Sequence, residues 1–405
     1  MLKRAILLVI TLLVIILAMQ APMVAEAAAN DSSQTRVIAL RIGSPYISIN
    51  GVSQQIDEEG TAPYIENGRT LVPFRAIFDA LSLDVDWNDG EITGTHGNTI
   101  IKLTIGSRIA YRNGNSIYLD IPPVIRNGRV MVPLRFIAES ISAEVNWNQT
   151  TQTITIRQTP LFVELAGVRI NIGDTIRSVQ NVLGAPNRVD LNYYDFDWHV
   201  YNSDYRRFIM VGIKNGLVEA IYTNSWGFVT NKAKYGDKRN SAAATQGITL
   251  YYDSVNNGVA HAVMIMSPDV GLRDSHNKDS LHRSQELQIF DMTNAFRVCY
   301  GRPTLEWDSI AALTARKHSQ DMQNRGFFGH ISPDGKGPDA RYRANNGRNS
   351  YSGESIALGF GSSYGVHDGW VNSSGHRDNM LDQSHRYLGV GISNDGIHIT
   401  QLFCR

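Results

Sequence analysis

The sequence predicts an α+β multidomain protein, on three observations. An internal repeat recurs sixty residues apart, around Val72 and Val132. A block rich in short apolar runs follows, with one amphipathic helix at its head. The last 120 residues or so read as helices flanking an antiparallel pair of strands, an α-β-α sandwich.

The N-terminus places Lys3 and Arg4 ahead of an apolar run from Ala5 to Ala18, then Ala25-Glu26-Ala27. That order is a secretory signal peptide, residues 1–27, cut after Ala27. An uncleaved signal anchor is the alternative, since the run falls only somewhat short of the roughly 20 residues that span a bilayer. No later stretch is long and apolar enough to cross a membrane, so the expectation is a secreted, extracellular protein, soluble or held at the cell wall by partners. The 38 basic and 38 acidic residues cancel, which removes the electrostatic argument for nucleic acid as a partner.

A mature chain of about 375 residues exceeds one ordinary core. Its first unit, 36–158, is the repeat. Pro63 to Arg69 contains Asn67-Gly68, Val72-Pro73-Phe74-Arg75 follows, and the copy ends at Trp87-Asn88. The second copy has Asn127-Gly128, Val132-Pro133-Leu134-Arg135 and Trp147-Asn148. Each reads as a hairpin on an Asn-Gly turn, a short helix (Arg75 to Leu81, Arg135 to Ile141), then a second strand pair. The repeat resembles the stalk domain named after the N-terminal region of copper amine oxidases. The oxidase chemistry does not come with it, because a copper site needs three histidines and only His96 lies in this region. The resemblance implies a spacer or wall-binding element.

The second unit, 160–270, opens with a helix from Thr175 to Leu183, stopped by Gly184 and Pro186. Strands follow at Trp198–Tyr201, Phe208–Ile213 and Val218–Tyr222, the last two joined at Lys214-Asn215-Gly216. Leu183 to Pro186, Trp198 to Tyr201 and Val211 to Gly216 resemble the small domain found ahead of bacterial CAP domains (cysteine-rich secretory, antigen 5, pathogenesis-related). Tyr193, Tyr194, Tyr201, Tyr205, Tyr222 and Trp226 form either a glycan-stacking face or, the commoner fate, core. The polar run Asp274 to Arg283 reads as a linker.

In the third unit, 286–405, Ile289, Met292, Phe296 and Cys299 give the helix 286–300 one apolar face. Asp308 caps the next helix and Gly326 ends it, with His318 on its buried side. Strands Tyr387–Ile392 and Ile397–Phe403 close the chain. Here Ala315-x-x-His318-Ser319-x-Asp321-Met322, His330-x-Ser332-Pro333-Asp334-Gly335, Gly353-Glu354-Ser355-Ile356-Ala357, Trp370-x-x-Ser373-x-Gly375-His376-Arg377-x-Asn379 and Gly389-Val390-Gly391 resemble bacterial CAP domains in order. The resemblance implies a surface cleft built from His330, Glu354 and His376, with Ser373 standing where a second glutamate is expected.

Chemically the trio has two readings. The imidazoles and the carboxylate suit a divalent metal such as zinc, with an open position for water; without metal, Glu354 orients one histidine while the other moves protons. No serine or cysteine stands in a triad arrangement as nucleophile. The preferred expectation is binding of wall polymer, lipid or extracellular protein; the alternatives are a metal-assisted hydrolase and a purely structural wall protein. His367 and His385 fall in no motif and are expected at the surface. Arg377 either meets an acidic group near the cleft or forms a structural ion pair. Cys299 and Cys404 are a candidate disulfide worth about 4 kcal/mol, or two buried thiols.

Overall fold

The computed structural model describes residues 35–96, 99–141, 143–239, 247–268, 270–274 and 277–405. The expected signal peptide lies outside the described residues.

The two copies of the N-terminal repeat interlock. One sheet runs, in spatial order, Glu144–Asn148, Thr153–Gln158, Arg36–Arg41, Tyr46–Ile49, Val52–Gln55, so closing strands of the second copy complete the opening strands of the first. The other five-stranded sheet holds Asp84–Asn88, Glu91–His96, Thr99–Thr104, Ile109–Arg112 and Asn115–Tyr118. Between them the two Asn-Gly hairpins join edge to edge, with Val72 opposite Val132, Leu71 opposite Pro133 and Pro73 opposite Met131. Equivalent residues therefore meet on a pseudo-twofold axis. Asn67, Gly68, Asn127 and Gly128 all have positive φ, as two-residue hairpin turns demand. The helices α1 (Phe74–Ala80) and α2 (Leu134–Ser140) bury Ile77, Phe78, Ile137 and Ala138 in a core shared by both copies.

The intermediate region has a six-stranded antiparallel sheet in the order Arg188–Asp190, Asp197–Tyr201, Ile209–Lys214, Leu217–Thr223, Val259–Met266, Ile248–Asp253. Helix α3 (Ile176–Leu183) starts at Thr175, whose side chain accepts from Ser178 N. One sheet face, with Ile209, Val211, Val218, Ile221 and Ile265, packs with Val179 of α3 and with Val163, Leu165 and Ile170 of a smaller sheet. The opposite face, with Trp198, Val200, Met210, Ala220, Tyr222 and Met264, packs on the C-terminal domain. Tyr201 and Tyr222 are core, whereas Trp226 is exposed.

The contact helix is α4 (Lys278–Cys299), which begins well before the expected position and takes in half of the expected polar linker. It is buried on more than its apolar face: Ser284, Gln285, Gln288, Asp291, Thr293 and Asn294 are enclosed along with Ile289, Met292 and Phe296. The reason is its location between two sheets. Asp291 accepts from Arg188 (2.7 Å), Asn202 (2.8 Å) and Tyr205 (2.7 Å) of the intermediate domain. On the other side Thr293 Oγ1 accepts from Gln401 (2.9 Å) of the C-terminal sheet.

That sheet has the order Glu306–Trp307, Tyr387–Ile392, His398–Cys404, Tyr351–Leu358. Its outer face takes α5 (Ser309–Arg325), capped by Asp308 and ended by Gly326 at φ 62°. Around it lie α6 (Pro338–Ala344), α7 (Ser363–Val371) and α8 (Ser374–Leu381). Gly389 and Gly391 let α5 close on the sheet. A Cβ on them would stand 2.0 Å from Ala312 N and 1.9 Å from Arg316 N.

The cysteines take the second of their two readings, and the expectations for His367 and His385 are corrected. Cys299 and Cys404 are free thiols. Cys404 packs with Ala311 and Tyr342 on the α5 side of the sheet, whereas Cys299 ends α4 on the opposite side, its Sγ 3.6 Å from the Asn224 carbonyl. His367 and His385 are buried rather than at the surface. His367 accepts from Asn224 Nδ2 at 3.2 Å across the domain junction, and His385 stacks on Phe403.

Two predictions follow from this packing. Gly391→Ala forces backbone apart and lowers unfolding free energy by about 3 kcal/mol, measured by urea denaturation; a loss under about 0.5 kcal/mol contradicts the close approach. Burial pushes His367 down to about 3 and His385 to about 4, from 6.5. The unfolded chain then binds protons first, so stability is full above pH 6.5 and falls as pH drops toward those values. Thermal unfolding followed against pH is expected to show that fall, and His367→Gln to make it shallower.

Candidate functional site

The candidate site is organised around an enclosed carboxylate. Glu354 sits in the Tyr351–Leu358 strand, and its side chain is 1% exposed. The preceding Gly353 has a structural reason: a Cβ there would lie 2.9 Å from Asn379 Oδ1 of α8. Asn379 in turn donates to the Glu354 carbonyl at 3.0 Å, so strand and helix are locked side by side.

Both Glu354 oxygens are occupied. Oε1 accepts from His330 Nδ1 at 2.9 Å, and Oε2 accepts from Arg341 Nη2 at 2.7 Å. Arg341, on α6, also donates to the carbonyls of His330 (2.8 Å) and Lys336 (2.9 Å), so one guanidinium shapes the loop and neutralises the carboxylate. His330 meets Glu354 through Nδ1, which leaves Nε2 as its outward nitrogen, and its side chain is 49% exposed. Phe328 and Ile331 flank it at 51% and 58% exposure, an apolar rim to a polar centre.

His318 is buried as expected on its helix, yet it also approaches Glu354 Oε1 to 3.9 Å. A carbonyl only accepts, so the 3.0 Å contact of Nε2 with Gly329 O places the proton there. Burial holds the His318 pKa below its ordinary value. His376, on α8, is half-buried beside Trp370, their rings 6.4 Å apart. Its pKa is lowered first by burial and then by the neighbouring His330. Ser373 starts α8 and makes no capping hydrogen bond through its side chain.

Among the described residues no three His, Cys, Asp or Glu side chains are grouped to hold an ion. Arg341 holds Glu354 Oε2, the oxygen not facing His330. Sequence reasoning missed Arg341, since it lies on a seven-residue helix with no motif of its own. Arg377 takes the structural option, pairing with Asp253 at 2.9 Å.

Removing Arg341 leaves a buried charge with only a histidine partner. Arg341→Ala is expected to cost about 3 kcal/mol in urea unfolding, and a change below about 0.5 kcal/mol would show that the carboxylate does not depend on it.

Residues 53–156 match the copper amine oxidase N-terminal domain, residues 172–254 the CAP-associated N-terminal domain, and residues 290–403 the cysteine-rich secretory protein family. The uncharacterized membrane protein YlbC of Bacillus subtilis is 23% identical over 299 residues, covering 60% of this chain and 85% of that protein. The uncharacterized protein YkwD of the same organism is 34% identical over 118 residues, 29% of this chain and 46% of its own length. An extracellular protein containing an SCP domain from Bacillus anthracis superposes with a TM-score of 0.51 at 23% identity, over 58% of this chain and 93% of that one; at that identity the likeness concerns the fold. The C-terminal domain is thus a bacterial CAP domain of the cysteine-rich secretory protein family, carried behind a CAP-associated domain and a copper amine oxidase N-terminal domain.

Proposed function

We propose that this chain is an exported, wall-associated protein that binds an extracellular ligand in the cleft between His330 and His376, with the N-terminal repeat as its spacer. The supporting observation is the fate of Glu354. Its oxygens are spent on His330 and Arg341 and its side chain is enclosed, so the cleft offers two imidazoles to a ligand and no free carboxylate. Hydrogen-bonding imidazoles beside Phe328 and Ile331 suit a ligand with carbonyl, carboxylate or hydroxyl groups next to an apolar part. A peptide-bearing wall polymer has that chemistry.

Export is supported by the charged, apolar and small-residue order of the first 27 residues, and no helix among the described residues is long and apolar enough to cross a membrane. The spacer role is supported by the repeat's lone histidine. His96 is engaged by the Ser82 carbonyl and Gln158, at 3.1 and 3.4 Å.

A second reading has its own support. The Glu354–His330 pair orients an imidazole with Nε2 free toward the cleft, as in a metal-independent general base. Sedimentation of the mature protein with purified wall sacculi distinguishes these readings. Binding is expected to fall about tenfold, the equivalent of one charge-assisted hydrogen bond, in His330→Ala/His376→Ala. Unchanged binding in that variant would move the contacts to the repeat module and overturn the cleft reading. Release of soluble wall fragments, lost in His330→Ala, would establish the base reading.

A further inference from the structure

Helix α8, which carries His376, does little to fix itself. It has eight residues, the side chain of its N-cap Ser373 makes no capping bond, and no capping bond is made at Asp382. A helix that short has no stability of its own. Its position is set by neighbours, and one group of these belongs to the intermediate domain.

Arg377, the residue after His376, reaches out of the C-terminal domain to Asp253 at 2.9 Å. The pair is enclosed, with Asp253 at 0% side-chain exposure, and the guanidinium lies over the rings of Phe296 (5.0 Å) of α4 and of Tyr300 (4.8 Å), which caps that helix. Tyr300 adds a hydrogen bond to the same Asp253 oxygen at 3.1 Å. Next along the chain, Ser254 donates its backbone N–H to Asn372 Oδ1 at 2.7 Å, and Asn372 is the first of the two residues between α7 and α8. A third hold is His261, whose Nε2 lies 2.8 Å from Asp368 Oδ1 of α7. The corner between the two helices is thus gripped by the ends of two strands of the intermediate sheet. From the opposite side α8 is tied to Glu354 through Asn379.

We propose that Asp253 and Arg377, with Ser254 and Asn372, are positioning residues for His376, so that the CAP cleft is complete only when the intermediate domain is docked. The device deepens the cleft reading given above, because it matters to function only if His376 meets a ligand. It also gives the intermediate domain a role beyond spacing. Arg377 does not face the ligand; it acts through the helix that holds the imidazole.

The test needs no ligand, so a cleft that bound nothing would leave its result intact. The full-length protein is treated with diethyl pyrocarbonate, and modification of His376 and His330 is followed by peptide mass mapping. His330 is the internal reference, since it is anchored to Glu354 and Arg341 instead. In Asp253→Asn the ratio of His376 to His330 rates is expected to rise by about threefold or more, the scale of coupling between linked sites, and the His376 imidazole resonance to move. Asn372→Ala, which removes a partly exposed contact and leaves the buried pair in place, is expected to raise the ratio less. It decides the matter if Asp253→Asn does not fold. An unchanged ratio in either folded variant, or an equal rise at both histidines, would overturn the proposal.

Discussion

Helix α4 is the constraint on which the intermediate and C-terminal domains both depend. One of its sides lies on the six-stranded sheet and the other on the four-stranded sheet, so Met292, Phe296, Trp198, Met210, Tyr222, Val390 and Phe403 belong to one continuous apolar cluster. Each such side chain contributes about 1.5–3 kcal/mol on burial. Separating the intermediate sheet from α4 would bare Trp198 and Tyr222 on the one side and Asp291 on the other, the latter without its three donors Arg188, Asn202 and Tyr205. The two regions are separate family matches along the chain, but physically each supplies a wall of the other's core.

The N-terminal repeat solves a similar problem in a different way. The first copy alone would have an unpaired strand edge at Arg36–Arg41 and another at Arg69–Pro73, and exposed edges invite association. The second copy pairs both, through Thr153–Gln158 and through the Val72–Val132 contact. The start and end of the module are held side by side by that first pairing. In the C-terminal domain the cleft depends on a longer chain of supports: Arg341 neutralises Glu354, Glu354 orients His330, and Asn379 ties the Glu354 strand to the helix of His376.

Features set by local chemistry are legible in the sequence. Asn67-Gly68 and Asn127-Gly128 announce their hairpins because few other pairs accept positive φ twice, and Asp308 and Gly326 bracket α5 because orphan N–H and C=O groups need partners. His330 and Glu354, placed by motif, lie within hydrogen-bond distance. What stayed hidden depends on tertiary partners. The burial of α4 on both sides leaves no simple amphipathic stripe, since its second contact uses polar residues such as Asp291. One signal does exist in the strands. Phe208–Ile213 and Val259–Met266 are nearly continuous apolar runs, whereas an antiparallel sheet with one wet face alternates. Both faces of that sheet therefore had to be covered. Arg341, His367 and His385 gave no such signal, because only the packing of other elements encloses them.

The shared core is most directly tested by hydrogen exchange on the intact protein, followed through a denaturant series. A common core requires the amides of Ile209–Lys214 in the intermediate sheet and of α4 and Tyr387–Ile392 in the C-terminal domain to open together, with one free energy and one denaturant dependence, while the repeat module opens on its own. Opening of the intermediate strands at distinctly lower free energy, with the C-terminal amides still protected, would contradict it and leave the CAP domain as an independent unit.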